Sequence, residues 1–65
     1  MTVLSLEKLY DHLGTRAIPG SEIELQALCT RIGELIELNG EKWVRENRQQ
    51  LLEQWAYVVK QGIIS

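Results

Sequence analysis

The sequence predicts an all-α fold, and three observations support this prediction. Apolar residues recur every three or four positions in three segments, which is the spacing of one helix face. Each segment ends at a glycine, a common helix stop. No stretch alternates apolar and polar residues in the way of a half-buried strand. We therefore expect one small domain over residues 1–65, with a short N-terminal helix followed by an antiparallel helical hairpin.

The first helix is expected over about residues 5–13. Ser5 can accept a hydrogen bond from the free amide groups of the opening turn. Apolar residues that include Leu9 and Leu13 follow at helical spacing, and Gly14 supplies an end. A helix this short is marginal on its own in water, so its stability must come from docking.

The second helix, expected over about residues 21–39, has the strongest local signature. Ser21 and Glu24 match a capping box, in which each side chain accepts a hydrogen bond from the other residue's backbone amide. Gly40 after the helix suits a left-handed stop position. One continuous apolar stripe runs between these ends and consists of Leu25, Leu28, Cys29, Ile32, Leu35 and Ile36.

The third helix, expected over about residues 41–61, is the longest. Because so few residues separate it from the second helix, the two must be antiparallel neighbours. A second flank carries Trp43 and Tyr57, so this helix has more apolar surface than one neighbour can cover. Its main apolar face consists of Val44, Leu51, Leu52, Trp55, Val58 and Val59.

A chain of 65 residues has little core, and small domains commonly rely on disulfides, metals or association. Cys29 is the only cysteine, which excludes a disulfide within the chain. His12 is the only histidine, which argues against a structural zinc site. Association is therefore the expected source of added stability. We expect two copies to pair as a symmetric homodimer that forms a helical bundle.

The expected partner interface lies on the third helix and on the short tail after it. Tryptophan and tyrosine bury a large area with little loss of rotamer freedom, and both are enriched in interfaces. In a competing interpretation, the first helix covers the Trp43–Tyr57 flank and makes both residues part of the core. The residues assigned to the interface are Trp43, Trp55, Tyr57, Val58, Val59, Ile63 and Ile64.

Three basic residues near the start of the third helix form an alternative site, namely Lys42, Arg45 and Arg48. They are candidates for contact with an anion or a nucleic acid, because lysine and arginine neutralise phosphate. The net charge of −2 and the absence of a tight helix-turn-helix pattern both count against nucleic acid. Arg48 lies within the apolar stripe, so its guanidinium must reach water, pair with an acid or meet a partner's anion.

No combination of residues indicates catalysis or cofactor binding. Cys29 lies on the apolar stripe of the second helix, where an inert buried thiol is expected. A Cys29–His12 pair would have no third, orienting group and no oxyanion site. His12 lies near the C-terminal end of the first helix, where we expect it to interact favourably with the negative pole of the helix dipole. We therefore expect no enzyme, no metal, no cofactor and no small-molecule substrate.

The expected location and function follow from these exclusions. The lone cysteine suits a reducing compartment, and the sequence has no signal peptide and no run of about 20 apolar residues, so we expect a cytoplasmic protein without membrane contact. The leading hypothesis is a non-enzymatic interaction module (an adaptor, regulator or accessory subunit) that acts as a homodimer or with another protein. The alternatives are a small DNA-binding regulator that uses the basic start of the third helix, and an accessory subunit of an enzyme complex.

Overall fold

The computed structural model describes residues 3–62, and this part of the chain contains four helices. They are α1 (Leu6–Leu13), α2 (Glu22–Asn39), α3 (Glu41–Glu46) and α4 (Arg48–Gln61). These described residues contain no strand, which confirms the all-α prediction. Two of the expected interface residues, Ile63 and Ile64, lie outside the described residues.

The first two helices begin as their capping residues predict. Ser5 Oγ accepts a hydrogen bond from the backbone N–H of Lys8 at 3.3 Å. Ser21 Oγ accepts from the Glu24 N–H at 3.3 Å, and Glu24 Oε1 accepts from the Ser21 N–H at 2.9 Å. These two bonds complete the capping box. α1 ends at Gly14, whose φ of 72° is a left-handed conformation that glycine adopts without steric cost.

The segment expected to form one third helix is divided at Asn47. The φ of −105° and ψ of 12° at this residue lie outside the helical region. Its side-chain Nδ2 donates a hydrogen bond to the carbonyl of Trp43 at 2.8 Å. The backbone N–H of Asn47 donates to the same carbonyl at 3.0 Å, so side chain and backbone share one acceptor at this position. The expected single helix over residues 41–61 is therefore corrected to two helices, of 6 and 14 residues.

One residue, Gly40, joins α2 to α3. Its φ of 91° and ψ of 158° belong to a region that is almost exclusive to glycine, and not to the left-handed stop expected from the sequence. The Gly40 N–H still donates to the carbonyl of Ile36 at 2.8 Å, which closes the last turn of α2. Because the joint is so short, α3 begins at the end of α2 and packs beside it.

α4 packs against α1, α3 and the loop between α1 and α2, and it approaches α2 least closely. The indole Nε1 of Trp55 donates to the Pro19 carbonyl in this loop at 2.7 Å. Gly20, at the end of the same loop, lies beside Trp55 and Val59. The expected hairpin is therefore interrupted, since α2 and α3 are close neighbours whereas a groove separates α2 from α4. The break at Asn47 is the cause, because it lets α4 follow the loop.

Residues from all four helices meet in one core. Leu9, Ile32 and Val44 are completely enclosed, and each comes from a different helix. His12 is the buried polar residue of the described chain. The buried apolar residues are Leu9, Leu13, Leu28, Cys29, Ile32, Val44 and Trp55. This core uses both inward-facing leucines of α1, so the first helix is an integral part of the fold.

Candidate interaction surface

An open apolar groove of about 310 Å³ runs between α2 and α4. It exists because α4 turns away from α2 after Asn47, which leaves the facing stripes of the two helices in incomplete contact. Its floor consists of buried core residues, and its walls consist of half-buried aliphatic residues. The floor and walls are formed by Leu28, Ile32, Leu35, Leu51, Trp55 and Val58.

The rim of the groove carries one aromatic, one basic and one amide side chain. Trp43 on α3 contributes to the lining and is 37% exposed. Arg31 on α2 and Gln54 on α4 line opposite sides. Within residues 3–62, neither Arg31 nor Gln54 makes a side-chain hydrogen bond or an ion pair. The rim is thus free to contact another molecule.

The sequence-predicted interface residues are distributed over three environments. Trp43 and Val58 line the groove, and Val58 is half-buried. Val59 is half-buried on the other side of α4, beside Gly20. Tyr57 is 61% exposed, so α1 does not cover its flank. Trp55 is 7% exposed in the core of a single chain, and it also lines the floor of the groove.

The outer side of α4 carries an exposed stripe without charge. Gln50, Gln54, Tyr57 and Gln61 follow one another at spacings of four, three and four residues. All four are exposed. Helix residues at this spacing share one face, so the stripe is continuous along α4.

The sequence-based prediction missed the α2 side of this surface. Leu35 belongs to the apolar stripe of the second helix, and in the structure it is half-buried and lines the groove. Arg31, which also lines the groove, was not singled out. The signal available for Arg31 was its position one turn from Leu28 and Leu35, where a helix presents neighbouring residues on one side.

One of the three candidate anion-binding residues, Arg45, forms an ion pair within the chain. Arg45 donates to the Oδ2 atom of Asp11 at 2.9 Å and to the Asp11 carbonyl at 3.4 Å. This hydrogen bond and the charge of Arg45 lower the pKa of the Asp11 carboxyl below its ordinary value. The Arg48 side chain lies over Gly14 at the C-terminal end of α1, where a cation is favoured by the helix dipole. Lys42 is exposed and makes no ion pair with residues 3–62.

His12 and Cys29 are both buried. His12 Nδ1 lies 2.8 Å from the Lys8 carbonyl, and because a carbonyl only accepts, Nδ1 is the donor. His12 Nε2 lies 3.9 Å from Glu41 Oε1. Burial raises the pKa of the Cys29 thiol, which disfavours the nucleophilic thiolate. No cluster of three or more His, Cys, Asp and Glu side chains in residues 3–62 could hold a metal ion.

Comparison of the chain with protein-family models, curated proteins and solved structures found no match. In the described chain, no helix combines the length and the apolar composition needed to cross a membrane.

Proposed function

We propose that this protein is a non-enzymatic helical interaction module that works as a homodimer. The observation that carries the proposal is the unfilled apolar groove between α2 and α4, with Trp43 at its rim and Tyr57 on the adjoining face of α4. Exposed aromatic residues beside an apolar depression are typical of protein interfaces. The dimer is the unit through which an adaptor, regulator or accessory subunit would act.

A second copy of the chain is the occupant that the composition of this surface favours. In a twofold-symmetric pair, residues near the axis face the same residues of the other copy, so a charge there would meet a like charge. The α4 stripe formed by Gln50, Gln54, Tyr57 and Gln61 avoids this repulsion because it is uncharged. Amide side chains can also hydrogen-bond to their own kind, since each has donors and an acceptor.

The basic residues of α3 and of the start of α4 give less support to the DNA-binding alternative. Arg45 is held by Asp11, and Arg48 lies against the end of α1. A phosphate contact by Arg45 would require it to leave Asp11, whereas Arg48 and Lys42 are exposed and form no ion pair with residues 3–62. These two cations do not provide the several phosphate contacts on which nucleic-acid affinity depends.

Sedimentation equilibrium over micromolar to millimolar concentrations tests the dimer. We expect a mass twice that of the chain, and a chain that remains a monomer throughout this range would refute the proposal. Tyr57→Asp should shift the protein toward monomer, because it places like charges near the symmetry axis. Ile23→Asp is the matched control, since Ile23 is an exposed apolar residue on α2, 77% accessible, that does not line the groove.

A further inference from the structure

The sequence of α4 contains a pattern that specifies how two copies would meet. The uncharged stripe of Gln50, Gln54, Tyr57 and Gln61 follows a spacing of four, three and four residues, which places all four on one face of α4. At about 100° per residue, the neighbouring positions fall roughly 80° to either side of this stripe. Each side has its own chemistry, so the stripe has two distinct flanks.

One flank is charged and the other is apolar. Glu53 and Lys60 lie on the first flank, are exposed, and form no ion pair with residues 3–62. Leu51 and Val58 lie on the second flank, are half-buried, and form part of the groove wall. The two charges of the first flank, on Glu53 and Lys60, have opposite signs and are separated by two helical turns.

The direction in which two such helices pair decides which flanks face each other. In a parallel twofold pair, the charged flank of each helix lies against the apolar flank of the other. In an antiparallel twofold pair, each flank faces the same flank of the second helix. The parallel arrangement would desolvate Glu53 and Lys60 beside Leu51 and Val58, which is unfavourable for unpaired charges. In the antiparallel arrangement, the charged flanks of the two copies face each other, and so do the apolar flanks.

The antiparallel arrangement also gives a consistent set of partners. When the twofold axis passes midway along the stripe, Gln50 lies opposite Gln61 of the second copy and Gln54 lies opposite Tyr57. In the same register, the two flanks also find partners. Leu51 approaches Val58 on the apolar flank, and Glu53 approaches Lys60 on the charged flank. Because the pair is symmetric, each of these contacts occurs twice.

We propose that α4 pairs with α4 of a second copy in this antiparallel register, with Glu53 of each copy against Lys60 of the other. This inference rests on the proposed homodimer and adds its geometry. The apolar flank places the second copy at the α4 wall of the groove, where it covers the exposed parts of Leu51 and Val58. The charge pairs select the register, since a shift of one helical turn would separate both of them.

Charge reversal provides the test. Glu53→Lys turns both charge pairs into contacts between two positive charges, and Lys60→Glu turns both into contacts between two negative charges. We expect each single variant to weaken dimerisation by roughly tenfold or more, because two attractive pairs become repulsive. The double variant Glu53→Lys/Lys60→Glu restores both pairs with reversed polarity, so its dissociation constant should return to within about threefold of the wild type.

Mixing the two single variants gives a second readout. One variant carries only lysine at positions 53 and 60, and the other carries only glutamate, so the mixture should form heterodimers in preference to either homodimer. Capture of one tagged variant followed by quantification of the other measures this preference. Glu46→Lys has the same change of net charge as Glu53→Lys at an exposed position on α3, and it should leave the dissociation constant unchanged.

The possible results separate the register from the dimer itself. A wild-type dimer that tolerates both single reversals, or a double variant that stays weakened, would overturn the register and leave the homodimer standing. A wild-type chain that is monomeric up to millimolar concentration would overturn both. Circular dichroism of each variant shows whether it remains helical, so a loss of fold is not mistaken for a loss of pairing.

Discussion

The contact between α1 and α3 and the contact between α2 and α4 use similar residues but differ in closure. Leu9 on α1 and Val44 on α3 are both 0% exposed. The ion pair from Arg45 to Asp11 at 2.9 Å connects the rims of the same two helices. Across the groove, by contrast, Leu51 and Leu35 are only half-buried. The closed α1–α3 contact forms a seam, whereas the groove between α2 and α4 stays open.

The difference shows that hydrophobic composition alone does not decide which helix contacts close. α3 begins directly after the single joining residue that follows α2, and this short joint places Val44 in the core. α4 begins after the break at Asn47, and it follows the loop that Trp55 contacts through Pro19. The groove remains open because α4 is attached on its other side. Stability is therefore expected to be concentrated in the seam, and binding capacity in the groove.

Truncation of one leucine in each region should give the largest effect. Leu9→Ala in the seam removes a fully enclosed side chain and should lower the free energy of unfolding by about 2–5 kcal/mol. Leu51→Ala in the groove removes a half-buried side chain of the same size and should cost only about 1 kcal/mol. Urea denaturation monitored by circular dichroism measures both. Equal losses would mean that the groove is as closed as the seam.

The hydrogen bond under the groove should have an intermediate effect. Trp55→Phe removes the indole N–H that donates to the Pro19 carbonyl, and it should lower the free energy of unfolding by about 2 kcal/mol. Trp43→Phe makes the same substitution at the partly exposed rim and should cost about 0.5 kcal/mol or less. The same denaturation experiment applies. If the two variants are equally stable, the loop does not hold α4 in place.

The ion pair at the edge of the seam should have the smallest effect, and one that depends on pH. Because Arg45 lowers the pKa of Asp11 in the folded chain below 3.8, the pair stabilises the fold above that pH. Its contribution disappears as the pH falls through the lowered pKa of the folded state. Asp11→Asn should therefore be less stable than the wild type near neutral pH, and the difference should fade below pH 3.8.

Thermal unfolding of both proteins across this pH range checks the prediction. Glu53→Gln is the control, since Glu53 forms no ion pair with the described residues of its own chain, and it should be measured at a concentration where the protein is monomeric. A difference between wild type and Asp11→Asn that stays constant down to the most acidic pH would show that the ion pair is not its source.

The helix starts could be predicted from the sequence because capping is local. Ser5 bonds to an amide three residues away, and so does Ser21. The break at Asn47 could not be predicted, since apolar residues keep their helical spacing on both sides of it. Its only local signal was an asparagine, and asparagine is tolerated within many helices.

The surface was predicted in part for a related reason. Tyr57 lies off the main apolar face, and the sequence left open whether the first helix covers it; its side chain is 61% exposed. Trp55 lies on that face and is nearly enclosed, and its indole N–H donates to the Pro19 carbonyl of the neighbouring loop. That contact joins residues 36 positions apart, which no local periodicity reveals. The groove likewise depends on where the whole of α4 lies.

The hydrogen bond from Trp55 to Pro19 also has a consequence for folding kinetics. It spans 36 positions of a 65-residue chain, and the bond from Arg45 to Asp11 spans 34. Isolated helices form in about a microsecond or less, whereas the meeting of distant segments carries the entropy of loop closure. We therefore expect the encounter of the first third of the chain with the last third to limit the folding rate. In this respect the folding rate of this small helical protein should depend on contacts between distant residues, as is more usual for proteins rich in β-sheet.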